Sequence, residues 1–210
     1  EFVDTQIAEM KEYGIEVHLN TTASVSNVRG LDPYCVIMAC GGNQIVPPIP
    51  GIDRENVYYI EDVLQSRVKF SGKKIAVIGG GHVGLEVAHF LCADNKVTVV
   101  EMQKEVGTSI YRTAKYKLLS LLEESGVEIL TEHAIAGVED GQVALKKMDT
   151  GETVHIPAEI VVMALGNRPD RAYEQEFKDA FENVVIIGDA TKAGTVADAT
   201  RAAYEKCFYL

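Results

Sequence analysis

Residues 73–86, KKIAVIGGGHVGLE, constrain this chain more than any other segment, because a run of apolar, β-branched residues breaks off at three consecutive glycines and resumes at helical spacing. Gly79, Gly81 and Gly84 form G-x-G-x-x-G at a predicted strand end and helix start, and Glu101 closes the next predicted strand (96–101) 22 residues after Gly79. A dinucleotide-binding β-α-β unit has this layout, with an acidic residue about 20 positions beyond its glycines. Gly79 is expected to make the tight turn, Gly81 to let a pyrophosphate approach the backbone, and Gly84 to let the helix pack on the strand. Unpaired N–H groups at the helix start compensate the phosphates. Glu101 is placed to accept both adenosine ribose hydroxyls and to repel a 2′-phosphate, so NADH is expected in preference to NADPH, although Lys104 lies close enough to oppose that choice. His82 either lies beside the pyrophosphate or faces solvent. Glu86, one turn further on, either points toward the nicotinamide ribose or is an exposed helix carboxylate.

The rest of the chain continues the alternation that predicts an α/β fold with a parallel sheet. Val3, Ile7 and Met10 share one face of a helix over residues 3–13, followed by a short strand over 16–19 and an apolar strand over 35–39. The Pro-rich stretch 46–51 cannot supply ladder hydrogen bonds and reads as a connector, with a domain boundary between it and Ser71. Strand 73–79, helix 82–93, strand 96–101, helix 109–125 and strand 127–130 then form βαβαβ. Asp140-Gly141 and Thr150-Gly151 mark the turns of a small antiparallel meander. A buried strand over 159–165, a polar stretch of about fifteen residues, a strand over 184–190 and a closing helix over 195–209 complete the chain.

Composition removes several function classes. With 20 Lys and Arg against 31 Asp and Glu, the net charge of −11 disfavours nucleic acid and anionic membranes as partners. No apolar run approaches the ~20 residues of a membrane span, so a cytoplasmic protein is expected. Cys35, Cys40, Cys92 and Cys207 show neither C-x-x-C nor metal-ligand spacing and read as buried free thiols. His18, His89, His133 and His155 have no spacing for a metal or triad, and no serine sits in G-x-S-x-G. No catalytic residue is singled out, and hydrolase and metalloenzyme readings gain no support.

In order, VIMACGG, IVPPIPGI, GKKIAVIGGGHVGLEVA, VVMALGNRP and VVIIGDA resemble the two-dinucleotide-binding-domain flavoproteins, which include the pyridine-nucleotide disulfide reductases. The chain is also similar to the carboxyl-terminal part of NADH:flavin oxidoreductases of the 2-enoate and 2,4-dienoyl-CoA reductase type. The resemblance implies a Rossmann-like NAD(P)H-binding domain, residues 71–167, inserted in a partial FAD-binding domain, residues 1–70 and 168–210. It makes Gly166, in Ala164-Leu165-Gly166 with Pro169, a domain-crossing position, and it makes Asp189, in Gly188-Asp189, a hydrogen-bond partner of the flavin ribitol; a plain strand-end turn is the alternative for that pair. Ala39-Cys40-Gly41 stands where Ala-Thr-Gly is usual, and Tyr34 where an acidic residue is usual. With only one G-x-G-x-x-G, assigned to NADH, and no initiating Met, the chain is expected to be part of a longer flavoenzyme that carries FAD, with a flavin and iron–sulfur domain upstream. A disulfide reductase, or a non-catalytic nucleotide-binding or docking module, are the rival readings.

Overall fold

Strands that are apolar at every position can be buried on both faces only inside a covered sheet, and the chain solves this with two different covers. The computed structural model describes residues 2–210. In chain order the elements are α1 Phe2–Glu12, α2 Val25–Arg29, β1 Val36–Met38, β2 Gly42–Gln44, β3 Val57–Tyr59, α3 Ile60–Leu64, β4 Lys74–Ile78, α4 His82–Leu91, β5 Lys96–Val100 and α5 Arg112–Glu124. Next come β6 Glu128–Leu130, β7 His133–Glu139, β8 Gln142–Lys147, β9 Thr153–Pro157, β10 Ile160–Met163, β11 Asn167–Pro169, α6 Glu174–Ala180, β12 Val184–Ile186, a 3-10 turn Gly188–Ala190 and α7 Val196–Cys207.

Five strands form one parallel sheet in the order β3-β10-β4-β5-β6. Because neighbouring residues of a strand point to opposite faces, Ile75, Val77, Val97 and Val99 pack on one side against Leu85, Ala88 and Leu91 of α4 and Leu122 of α5. Ala76, Ile78, Val100 and Met163 pack on the other against Val138, Val143 and Leu145 of the antiparallel β7-β8-β9 meander. The meander does the work that helices do on the opposite face.

Outside this sheet, β1 pairs in parallel with β12, and β2 pairs antiparallel with β11. The chain enters the large sheet through β2 and leaves it through β11, where the Ile45 N–H donates to the Gly166 carbonyl at 3.0 Å. The Pro-rich connector, without ladder pairing of its own, docks on the meander through Val138 N–H to the Pro50 carbonyl, 2.9 Å. Gly51 comes next at φ +76, where a Cβ would stand 2.0 Å from the Val138 carbonyl oxygen.

Several expectations need correction. Residues 16–19 form no strand: Ile15, Val17 and Leu19 are exposed, and among the described residues no strand pairs with them. The segment from Val57 joins the large sheet through β3, and Val63 of α3 is in its core. β3 and α3 thus lie with the large sheet, within the interval between the Pro-rich stretch and Ser71. The polar stretch after Gly166 contains β11 and α6, and α6 is anchored by a single buried side chain, Phe177. The cysteines are free but not buried: Cys40 is exposed and the other three are half-buried. Among the described residues no helix is long and apolar enough to cross a membrane.

The start of β10 is tied to β4 by Glu159, whose carboxylate accepts from the Lys74 N–H and the Lys73 ammonium, each at 3.0 Å. These bonds, the Lys74 N–H foremost, hold the carboxyl below its ordinary value of 4.5. A depressed folded-state pKa gives stability that is present above the unfolded value and lost as pH falls through the folded one. Glu159→Gln should therefore flatten the decline in melting temperature below about pH 4.5. Parallel acid limbs in wild type and variant would show that the contact carries no linkage.

Candidate functional site

β4 stops at Ile78 because the next residue turns away at φ +113, which side-chain-bearing residues avoid. A Cβ on Gly79 would lie 2.4 Å from the Ala164 carbonyl oxygen. A Cβ on Gly84 would lie 2.0 Å from the Gly79 oxygen, so α4 sits on the end of β4 at a distance only glycine permits. Gly80, which the G-x-G-x-x-G pattern leaves unassigned, is also constrained: a Cβ there would meet Val106 Cγ1 at 2.5 Å and Glu101 Cβ at 3.0 Å. The three-glycine run was its only signal in the sequence.

Gly81 differs from its neighbours. It caps α4 with φ −69 and ψ −176, an ordinary extended conformation, and nothing lies within 4 Å of a Cβ placed on it. Neither backbone strain nor packing calls for glycine here. A bare backbone beside open space at the start of a ten-residue helix suits the close approach of a phosphate.

Glu101 is half-buried at the end of β5 and faces this loop. Its Oε2 accepts the Gly80 N–H at 2.7 Å and its Oε1 accepts the Gln103 N–H at 2.8 Å. Each carboxylate oxygen keeps a second lone pair for a ribose hydroxyl. Sequence reasoning did not foresee these two bonds, since they depend on how the turn after β5 folds back.

His82 and Glu86 come together, with Nε2 and Oε1 3.3 Å apart and both side chains about half exposed. They line a groove of about 460 Å³ shared by α4 and α5, together with Ile110 and Leu118. Gly166 lies between β10 and β11, and Gly188-Asp189 stand in the 3-10 turn after β12. Gly166 has φ +82 with open space around it. Gly188 opens the 3-10 turn at φ +60, and Asp189 Oδ1 accepts the Gly194 N–H at 3.1 Å. Next to Gly166, the Asn167 Oδ1 is buried without a hydrogen-bond partner among the described residues, an open acceptor that no sequence pattern announced.

A glycine turn, a capped helix start and a strand-end carboxylate at the carboxyl edge of a parallel sheet define a dinucleotide-binding α/β domain, here joined through two adjacent strands to a second, smaller β-structure. The model of the pyridine nucleotide-disulphide oxidoreductase family matches residues 27–183, and the chain belongs to that family of flavin-dependent NAD(P)H oxidoreductases. It is 30% identical over 209 residues to an NADH oxidase of Thermoanaerobacter brockii, covering 97% of this chain and 32% of that protein. It is 32% identical over 200 residues to a cinnamate reductase of Clostridium sporogenes, covering 93% of this chain and 29% of that one. Among solved structures, 2-naphthoyl-CoA reductase in complex with 2-naphthoyl-CoA superposes with a TM-score of 0.83 at 26% identity, covering 94% of this chain and 30% of that chain. The chain thus spans about a third of the length of the relatives it matches. NADH and FAD are the cofactors of this family.

Proposed function

We propose that the five-stranded sheet and its meander bind NADH, and that β1, β12, the 3-10 turn and α7 are part of the flavin-binding unit of a larger NADH:flavin oxidoreductase. The observation that carries the reading is Gly81, a glycine that the fold does not need, at the one helix start beside which Glu101 is fastened. The cofactor pair supplies the chemistry, a hydride passed from the nicotinamide to the flavin. The chain's own residues bind and orient. The α4 N-terminus and the loop backbone hold the pyrophosphate, Glu101 holds the adenosine ribose, and Asp189 takes the flavin ribitol on the pattern of the resemblance. His82 and Glu86 flank the loop on the α5 side. Positioning of this kind needs no side-chain acid or base, consistent with the lack of a triad.

Only one G-x-G-x-x-G occurs in the sequence, and β4 and α4 use it. The adenosine half of FAD therefore needs a second glycine loop outside these residues, and the flavin and iron–sulfur centres of an enoate-type reductase belong upstream with it. The names of two relatives, a cinnamate reductase and a 2-naphthoyl-CoA reductase, favour a conjugated carboxylate or thioester as final electron acceptor. Four unpaired cysteines fit a reducing cytoplasm. With no cysteine pair among the described residues, thiol–disulfide chemistry would have to come from elsewhere in the protein.

Calorimetric titration of the chain with NADH should give one site per chain, and the flavin-loaded full-length protein should reduce an artificial acceptor with NADH. Absence of NADH binding would remove the dinucleotide reading. Binding without turnover in the full-length protein would make the chain a nucleotide sensor.

A further inference from the structure

α4 and α5 turn matching faces toward the groove between them. On α5, Ala114, Lys117, Leu118 and Leu121 stand at i, i+3, i+4 and i+7, and on α4, His82, Glu86 and His89 stand at i, i+4 and i+7. Each spacing defines a single helix face. Leu121 is half-buried and lies outside the core that takes Leu118 and Leu122. α4 is apolar on its outer flank as well, with Val83 39% and Phe90 63% exposed at i and i+7. A helix that is apolar beyond its buried face is one that is covered there too. The charges lean one way. α5 carries Arg112, Lys115 and Lys117 in its first half, has no acidic residue in its first turn and no side-chain cap from Tyr111, and ends in Glu123 and Glu124. That order opposes the helix macrodipole. Lys115 is matched by Glu105 at 3.4 Å and Glu86 by His82, whereas Lys117, exposed on the groove, forms no ion pair among the described residues. In a chain of net charge −11, the formal charge left unmatched in this groove is positive.

We propose that the groove seats an amphipathic helix of the larger enzyme, drawn from the polypeptide outside residues 1–210, which lays apolar side chains on Leu118 and Leu121 and a carboxylate on Lys117. The proposal rests on the reading of this chain as a portion of a larger oxidoreductase. The chain spans about a third of the length of its relatives, which leaves the greater part of such a polypeptide to pack against it. Two helices with a groove between them and anchors at i, i+3, i+4 and i+7 suit a third helix laid into that groove. A carboxylate on Lys117 would offset the cations gathered toward the start of α5. Because His82 directly follows Gly81, the seated helix would also border the glycine loop.

The test uses the full-length protein. Carbodiimide coupling joins an amine to a carboxylate already in contact with it, and Lys117 should be linked to an Asp or Glu outside residues 1–210 of the same polypeptide. A mixture of isotope-labelled and unlabelled protein separates links within one copy from links between copies. Leu121→Asp should abolish the link and raise the acylation rate of Lys117 by at least about tenfold, the scale of losing the burial of one apolar side chain. Leu121 lies outside the core around Leu122, so the variant should still melt cooperatively. A link from Lys117 to a second copy or within residues 1–210, no link at all, or equal acylation in wild type and Leu121→Asp would overturn the proposal. A full-length protein that holds no flavin and oxidises no NADH would instead overturn the reading beneath it, whatever Lys117 shows. Should Leu121→Asp not melt cooperatively, Leu121→Ala is read by the same two measurements.

Discussion

Gly81→Asp should weaken NADH binding by at least about a hundredfold while leaving the chain as stable as wild type or slightly more so. The two halves of this result have separate causes. At φ −69 and ψ −176, with open space where the Cβ would go, any residue fits position 81 without moving a neighbour. Aspartate is a better helix cap than glycine by a few tenths of a kcal/mol, so the melting temperature should not fall. The same carboxylate projects where the pyrophosphate has to approach, adding bulk and a like charge. Loss of two hydrogen bonds to a charged phosphate, at about 1.5–3 kcal/mol each, accounts for a hundredfold or more. Calorimetry beside a thermal melt decides the matter, and NADH affinity within about threefold of wild type would place the pyrophosphate elsewhere.

Gly84→Val should do the reverse. Its Cβ would start 2.0 Å from the Gly79 carbonyl oxygen and 3.3 Å from Ala164 Cβ, so α4 has to lift away from β4. Leu85, Val87 and Ala88, all fully buried on that helix, would lift with it. Overpacking of this sort costs about 3 kcal/mol, a fall in melting temperature of about 6–12 °C for a chain of this size. A variant that melts with wild type would mean that the helix can retreat without disturbing its core. Because the two glycines lie three residues apart, the pair of variants separates what the ligand demands of this loop from what the fold demands.

The sequence made the large sheet legible where two signals agreed. KIAVI, KVTVV and IVVM are too uniformly apolar for a half-exposed position, and each is flanked by a glycine, a helical period or a charged strand end. Asp140-Gly141 and Thr150-Gly151 marked the meander for the same reason, since turns that need a positive φ leave a residue-specific trace. What stayed hidden had no such trace. Gly42–Gln44 and Asn167–Pro169 are three-residue strands of mixed polarity that exist because each pairs with the other. The opposite error came from Glu16 to Leu19, whose alternation is strand-like but which has no strand to pair with among the described residues. At the site, glycine spacing pointed to Gly79, Gly81, Gly84 and Glu101 as a group. The Gly80 contact with Val106, the two N–H groups on Glu101 and the open Asn167 oxygen arise only when distant segments meet, and local pattern does not encode them.

The hydrogen bond from Ile45 to Gly166 has an architectural consequence. Residues 46–165 begin and end at one point, so their removal would leave a gap no wider than a hairpin turn. Such a unit can be cut out and the host closed over it, or its termini relocated, without stretching either part. It can also be grafted whole into another scaffold that offers two neighbouring antiparallel strands. Held by a ribbon instead of a single tether, the graft would keep its heading, because twisting it about the junction would shear the β2–β11 pairing.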